Sequence, residues 1–387
     1  MFDHFRYRTL LDTFERTEKM MRLDVYNYLN KQLRHLIQTK SKKNRKLIDM
    51  LTANKIKWHK FRGLEEIEAI PISKTQYADS THNPLKYRKP VMAAALQRVL
   101  SWHRCSEKKI IWITPNRTKI QESGFTRNCK VIPYPQDFDT IIKILHRNSK
   151  YVLVARPAIL AQLAFHINKY KIAPPKPSLL IAFNHDITIG AETLLKKTFN
   201  VPIVRLLTDT HYGSLIATCQ YDYYHLFEPI AIQEVVNERG LPVTSGRGTL
   251  VSTPLHTSKP TLLRFDTEIE VIPNQNAVCP CGLSYRTIDN LSYVSRPTLK
   301  SVDNQDLLIP LPEELHPNIV GVNYEQSYAG EVLITVKENE IGSLNPNDYK
   351  EWFHNYWKLD IRIILLIDNR STFLGDRGLS NYQIKTT

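Results

Sequence analysis

The sequence contains no run of eighteen or more apolar residues, so no helix is expected to cross a membrane. Its first residues, Met1 to Asp12, are polar and aromatic instead of basic and then apolar, so no secretory leader is expected. Cysteine is scarce: five in 387 residues, an odd number that fits a reducing compartment better than a disulfide framework. Internal repeats and low-complexity segments are missing as well, which excludes solenoid arrays and compositionally disordered tracts. Without a zinc-knuckle repeat, an RNP-type strand or a basic recognition helix, the sequence argues against nucleic acid as a partner. A cytoplasmic protein that folds without covalent staples is the expectation.

With 42% hydrophobic and 23% charged residues, the chain can bury the core of one large domain and a small one. Its formal charge of +14 is unevenly spread, because residues 1–60 hold fifteen Lys or Arg against six Asp or Glu, a local excess of nine. Such a face attracts acidic surfaces, or it is simply a solvated helical exterior. Apolar residues at three- and four-residue spacing (Leu23, Tyr26, Leu29, Leu33, Leu36, Ile37) predict one or two amphipathic helices between Leu10 and Leu51, with a turn at Lys40 to Lys46.

Short apolar runs then alternate with helical stretches. Ile110 to Thr114, Tyr151 to Ala155, Ser178 to Phe183 and Ile203 to Leu207 read as buried strands, and Val91 to His103 and Ala158 to Lys169 as helices. The alternation predicts α/β layers. After Glu228 the texture is richer in strands, with Ile230 to Val236, Gly248 to Ser252 and Thr261 to Phe265 separated by Gly and Pro turns. A break near Ser295-Arg296-Pro297 precedes a small α+β region: strands at Ile319 to Tyr324 and Glu331 to Val336, a helix at Asn347 to Trp357, and a strand at Asp360 to Ile367.

The most chemically specific feature is Cys219 followed by His225, and then, more than fifty residues later, Cys279-Pro-Cys281-Gly282. Two thiolates one residue apart on a Gly-ended knuckle, with a Cys/His pair from another segment, supply four ligands suited to tetrahedral Zn²⁺. Four protein ligands leave no open coordination position, so such an ion would be structural. The competing reading is that the cysteines are buried free thiols and His225 a satisfied core histidine.

The order of motifs in this region resembles the adenylate-forming superfamily, in particular the phenylacetate-CoA ligase branch. The residues that carry the resemblance are Tyr212-Gly213, Cys219 and His225 before Glu228 and Glu234, Gly246-Arg-Gly248-Thr-Leu-Val-Ser-Thr253, Arg264-Phe-Asp-Thr267 and Cys279-Pro-Cys281-Gly282. Upstream, Ser80-Thr-His-Asn-Pro84-Leu-Lys86-Tyr87 resembles the family's phosphate loop. The resemblance implies an α/β adenylate-forming (acyl-CoA synthetase-like) fold. A large N-terminal domain with a distorted β-barrel would span 1–296, its zinc-bearing part 219–282, and a small α+β lid would span 297–387. In this family such lids rotate between half-reactions.

It further implies an acid–thiol ligase: an acyl or aryl carboxylate is activated by ATP and Mg²⁺ to an acyl-AMP, and the thiol of CoA or an acyl carrier protein displaces AMP. Carried over residue by residue, nucleotide contacts fall on Ser80, Thr81, His82, Lys86, Tyr212, Glu268 and Arg296, and catalytic or metal-side roles on His211 or Asp209 and on Arg377. Zn²⁺ on Cys219, His225, Cys279 and Cys281 is implied as well. Several positions depart from the family pattern. His82 and Asn83 stand where glycines let backbone N–H groups turn toward phosphates. The ribose clamp reads Thr267-Glu268-Ile269. The adenine-side Gly-Ala-Glu falls at Asn184-His185-Asp186, with a literal Gly190-Ala191-Glu192 six residues later. Arg377 stands for a lysine, with Lys385 as a weaker substitute. The departures predict a degenerate ATP site and raise an alternative, an ATP-independent protein that binds an acyl-thioester or an acyl carrier protein.

Overall fold

The computed structural model describes residues 2–42, 44–73, 88–114, 128–134, 136–183, 187–208, 215–255, 263–274, 278–293, 298–310, 314–338, 345–358, 361–368 and 382–386. The chain divides into two compact units, one of residues 1–106, 120–127 and 206–294, the other of 107–119, 128–205 and 295–387.

The first unit begins with three helices, α1 (Phe2–Thr17), α2 (Arg22–Ser41) and α3 (Arg45–Ala53), where the spacing predicted one or two. The break at Lys40 to Lys46 is where α2 ends and α3 begins, and Asn44 caps α3 by accepting from the Leu47 N–H at 3.2 Å. Val25, Leu29, Leu33, Leu36 and Ile37 form the buried stripe of α2 and meet Leu47 and Leu51 of α3 in one core. Leu23 and Tyr26 were expected on that stripe but stand exposed: Leu23 lies off the face that Val25 and Leu29 share, and Tyr26, in the helix's first turns, is 40% exposed although it lies on that face. Lys31, Arg34, Lys42 and Arg45 also point to solvent.

Helix α4 (Arg88–Trp102) follows in this unit. Before the unit's next strands come those of the second unit: β1 (Lys109–Thr114), β2 (Cys129–Pro133), β3 (Tyr151–Ala155), β4 (Leu179–Phe183) and β5 (Ile203–Thr208), with helices α5 (Phe138–His146), α6 (Pro157–Lys169) and α7 (Ile189–Phe199). Their order is β2-β1-β3-β4-β5. The pairs β2/β1, β1/β3 and β3/β4 are parallel, as α/β alternation requires. Strand β3 is buried at every position, which explains why it reads as a continuous apolar run. Helix starts are locally encoded: Asp137 caps α5, Pro157 opens α6, and Thr188 caps α7 through the Ala191 N–H at 3.0 Å.

The first unit resumes with β6 (Leu215–Thr218), β7 (Tyr224–Leu226), β8 (Ala231–Val236), β9 (Gly248–Pro254), β10 (Phe265–Pro273) and β11 (Thr287–Tyr293), an antiparallel set ordered β6-β7-β11-β10-β9-β8. Of the strand expected at Thr261 to Phe265, Thr261 and Leu262 lie outside the described residues, and Leu263 and Arg264 stand outside β10, which starts at Phe265. The reason is Arg264, left-handed at φ 45° and 2% exposed. Its guanidinium donates to the carbonyls of Glu68, Ile70 and Gly240 and pairs with Glu234 at 3.0 Å. These bonds hold the backbone out of a pleat.

The second unit closes with β12 (Thr298–Lys300), β13 (Asp306–Leu308), β14 (Ile319–Tyr328), β15 (Glu331–Glu338), α8 (Pro346–Trp357), β16 (Arg362–Ile367) and β17 (Tyr382–Thr386). The predicted β, β, helix, β order is present, and β17 joins beyond it in a sheet ordered β16-β15-β14-β17. Asn345, Pro346 and Asp348 form a capping box that starts α8, whose Tyr349, Phe353 and Trp357 cover one sheet face. No helix among the described residues is long and apolar enough to cross a membrane.

Candidate metal centre

Two short turns of the first unit bring four soft ligands together. Cys219 leaves β6 into a tight turn in which its N–H donates to the Tyr223 carbonyl at 3.0 Å and Asp222 adopts φ 66°. The chain returns as β7, where Ala217 and His225 are register partners. The second turn is the knuckle Cys279 to Gly282: the Gly282 N–H donates to the Cys279 carbonyl at 3.0 Å, and Gly282 adopts φ 77°, a conformation that favours glycine. Strand β11 then pairs Thr287 with His225, so the knuckle lies over the β6–β7 turn.

The ligand atoms of Cys219, His225, Cys279 and Cys281 all lie within 4.8 Å of one another. Cys219 Sγ is 3.7 Å from Cys279 Sγ, and Cys281 Sγ is 3.3 Å from His225 Nε2. A tetrahedral Zn²⁺ with ordinary bond lengths would hold sulfurs ~3.8 Å apart and a sulfur and nitrogen ~3.6 Å apart. Both separations fit. The surroundings fit as well: His225 is fully buried, and its Nδ1 faces the Tyr285 carbonyl at 3.3 Å. A proton held there leaves Nε2 free to face the thiolates, the usual arrangement of a metal-ligating imidazole. Backbone N–H groups of Tyr221 and Leu283 reach Cys219 Sγ at 3.4 Å and Cys281 Sγ at 3.5 Å.

Without a cation the three thiols contend over protons. The Cys219 thiol is pulled down to about 3, first because Cys281 donates to it and then by His225, against the cost of burial. Cys281 is pushed up, first by that same bond and then by burial, and burial pushes Cys279 up. A buried thiolate that draws protons from its neighbours is the electrostatic setting in which a divalent cation replaces them.

The knuckle also holds the end of α1. The Ser284 hydroxyl donates to the Thr17 carbonyl at 2.7 Å, the Ser284 N–H to the Glu18 carbonyl at 3.2 Å, and the Tyr285 hydroxyl to the Phe14 carbonyl at 3.2 Å. These carbonyls lie at the C-terminal end of α1, so the knuckle adds partners to those that the local Glu18 and Met20 N–H groups already give Phe14 and Thr17. Trp102 of α4 stacks on Phe227 at 4.9 Å, meets His225 edge-on at 6.0 Å and donates from Nε1 to Glu18 at 3.1 Å. Nothing in the sequence singles out Tyr285, since any residue offers a carbonyl, and Trp102 stood out only as part of the segment behind the phosphate loop that resembles the adenylate-forming family.

Beside the centre, Glu228 is fully buried and accepts from both Arg22 and Arg286. Burial alone would raise its carboxyl, yet Arg286 and then Arg22 hold it below the usual carboxylate range. The acidic residue in the motif after His225 is therefore a structural anchor.

Ser80, Thr81, His82, Lys86, Asp209, His211, Tyr212, Arg296, Arg377 and Asn184-His185-Asp186 lie outside the described residues, while the backbone of Lys385 lies in β17, in register with Glu325 of β14. The backbone of Glu268 lies within β10. Thr267, beside it, donates its hydroxyl to the Leu250 carbonyl at 2.6 Å inside the sheet. The literal Gly190-Ala191-Glu192 forms the first turn of α7, with Glu192 paired to Lys196 and Arg205.

No protein-family model matches the chain, and no curated protein matches it in sequence. Among solved structures it is similar to 2-hydroxyisobutyryl-CoA ligase in the postadenylation state in complex with 2-HIB-AMP, with TM-score 0.74 and 12% identity over 92% of this chain and 88% of that one. The same ligase with R3-HIB-AMP gives TM-score 0.73 at 12% identity, over 91% and 88% of the two chains. With 2-HIB-AMP and CoA in the thioesterification state it gives 0.63 at 12% identity, over 96% and 92%. Identity this low carries the fold and nothing finer. The chain has the fold of the adenylate-forming superfamily.

Proposed function

We propose that the chain is an acid–thiol ligase-type protein that binds an acyl or aryl carboxylate, or its thioester, on an adenylate-forming scaffold braced by a structural Zn²⁺. The observation that supports this reading most is the extent of the likeness, 92% of this chain and 88% of a CoA ligase. In the ligase reaction the carboxylate attacks the α-phosphate of ATP, pyrophosphate leaves, and a thiol then displaces AMP from the acyl-AMP. Such chemistry depends on positioning and charge neutralisation. Here Ser80, Thr81 and Lys86 would meet the polyphosphate, Glu268 the ribose, and Arg377 the adenylate. His82, His211 or Asp209, Tyr212 and Arg296 would complete the nucleotide side.

Zn²⁺ on Cys219, His225, Cys279 and Cys281 would supply no chemistry to the reaction; its four ligands tie the β6–β7 turn to the start of β11. Residues 1–296 and 297–387 would act as body and lid.

A second reading keeps the scaffold without ATP: a protein that handles an acyl-thioester, presented by CoA or an acidic carrier protein. It is favoured by the use of Thr267 and Gly190-Ala191-Glu192 as structural elements, together with the basic excess of the first sixty residues. Calorimetry with ATP and Mg²⁺, followed by pyrophosphate exchange over a broad panel of acids, separates the two. Micromolar ATP binding with acid-dependent exchange that Glu268→Ala abolishes supports the ligase. No binding up to millimolar ATP and no exchange sink it and leave the thioester reading.

A further inference from the structure

We propose that the chain pairs with a second copy of itself along the open edge of β16, so that two copies share one continuous sheet. Among the described residues β16 ends the sheet ordered β16-β15-β14-β17. Its inner side runs parallel to β15, and the N–H groups of Arg362 and Asp368 donate to the Gly330 and Val336 carbonyls at 2.8 and 2.9 Å. In such a ladder alternate residues bond inward, so Ile363, Leu365 and Ile367 turn their N–H and C=O groups to the open edge. This edge has little of what usually keeps strands apart. The run Ile361 to Ile367 holds one charge, Arg362, and no proline. Ile363 and Leu365 are buried in the core with α8, whereas Ile364 and Leu366 stand 37% and 52% exposed on the other face, in register with the half-buried Leu333 and Thr335. Strands β2 and β8, each also at an edge, differ: β2 carries Lys130 and ends on Pro133, and at β8 the Val243 N–H donates to the Val235 carbonyl at 2.8 Å. An open apolar edge is a template for another strand.

The strand itself points to its occupant. A two-fold axis sets β16 against β16 antiparallel, and hydrogen bonding then requires outward-facing residues to oppose one another. With the axis at Leu365, Ile363 faces Ile367 and Leu365 faces its own copy in the hydrogen-bonded pairs. The closer pairs between them set Ile364 against Leu366, the two exposed apolar residues, and Arg362 against Asp368. A shift of two residues either way sets Arg362 or Asp368 against an apolar side chain instead. Arg362 already pairs with Glu331 at 3.0 Å, but its side chain is largely exposed and its guanidinium has donors for a second carboxylate. The strand is six residues long, which makes the contact small, and a reversible dimer of micromolar affinity is expected. The pairing uses none of the residues assigned to the nucleotide or the acyl group, so its failure leaves the ligase reading standing.

The experiment measures the mass of the full chain by sedimentation velocity from micromolar to near-millimolar concentration, where a rise from monomer to dimer is expected. Leu366→Lys, at an exposed position, should weaken the dimer by about tenfold or more. Charge exchange gives a result that a folding defect does not imitate. Arg362→Asp alone and Asp368→Arg alone each oppose like charges and should be monomeric, while their equimolar mixture pairs opposite charges at both ends and should be dimeric. Benzoylphenylalanine in place of Leu366, photolysed in a mixture of isotopically light and heavy chains, identifies what lies on the edge. Products that join light to heavy chains support the proposal; products within single chains alone mean that another part of the same chain covers the edge, and overturn it. A monomer at every concentration also overturns it, as does a dimer that Leu366→Lys and both charge variants leave unchanged, or a mixture of the charge variants that stays monomeric.

Discussion

The knuckle over the β6–β7 turn and the contact between α7 and the start of β14 do the same job by opposite means. Each joins stretches of chain far apart in sequence: Cys219 and His225 to Cys279 and Cys281 in one, Thr188 and Gly190 to Val320 and Ile319 in the other. The first is made of polar side chains with a chemistry of their own. The second is made of one hydroxyl, which Thr188 donates to the Val320 carbonyl at 3.0 Å, and of backbone proximity, since a Cβ added to Gly190 would lie 2.7 Å from the Pro317 carbonyl oxygen. Junctions of the first kind depend on pH, redox state and a cation; junctions of the second kind depend on volume.

The contrast breaks most sharply at the metal. One Zn²⁺ per chain is expected by elemental analysis, and structural zinc of this ligand type is worth about 10–16 kcal/mol of apparent binding energy near neutral pH. Cys281→Ser should lose the ion and lower the melting temperature, and trypsin cleavage after Arg16 or Lys19 should accelerate, because the knuckle holds the carbonyls that end α1. A folded, metal-free chain with unchanged proteolysis would dissolve the distinction. Since the three thiols must be deprotonated to bind, zinc retention should fall as pH is lowered, measured by chelator competition.

Next in size is Glu228→Ala, which leaves the half-exposed Arg22 and Arg286 without their shared anion and should cost about 1.5–3 kcal/mol by urea denaturation. The sign of its pH dependence follows from the depressed carboxyl: Glu228 contributes stability above the unfolded carboxylate value of about 4.3, and loses it as pH falls through the lower folded value. Glu228→Gln should remove that part of the acid transition.

Gly190→Val tests the other junction and should cost about 1–3 kcal/mol through overpacking, with no dependence on chelator. A chelator-dependent effect would mean that the two junctions are coupled. The smallest expected effect sharpens the link from knuckle to helix: Tyr285→Phe removes one buried bond to α1 and should cost about 1 kcal/mol while zinc stoichiometry stays at one.

The difference in kind also explains what could be read in advance. Strands β1, β3 and β4 were legible because burial on both faces forces nearly continuous apolar runs, and α6 because its apolar spacing keeps the helical period. Strand β2 and helices α5 and α7 were not marked out in advance. In β2 only Ile132 is fully buried, which leaves too short a run, and α5 and α7 are short. Leu263 and Arg264, expected within a strand, stand outside β10 because Arg264 answers to four distant groups, Glu68, Ile70, Glu234 and Gly240, that no local window contains.

By itself, the sequence determined the α/β alternation, the small region around α8 and the four residues of the candidate metal cluster. Cysteine, histidine and apolar periodicity announce their chemistry wherever they stand. Only the tertiary structure decided that Glu228 and Arg264 are buried anchors, that Thr267 is spent within a sheet, and that Gly190 exists for the approach of another backbone. The physical reason is that burial and close packing belong to pairs of segments, and one segment's residues carry no mark of the partner they will meet.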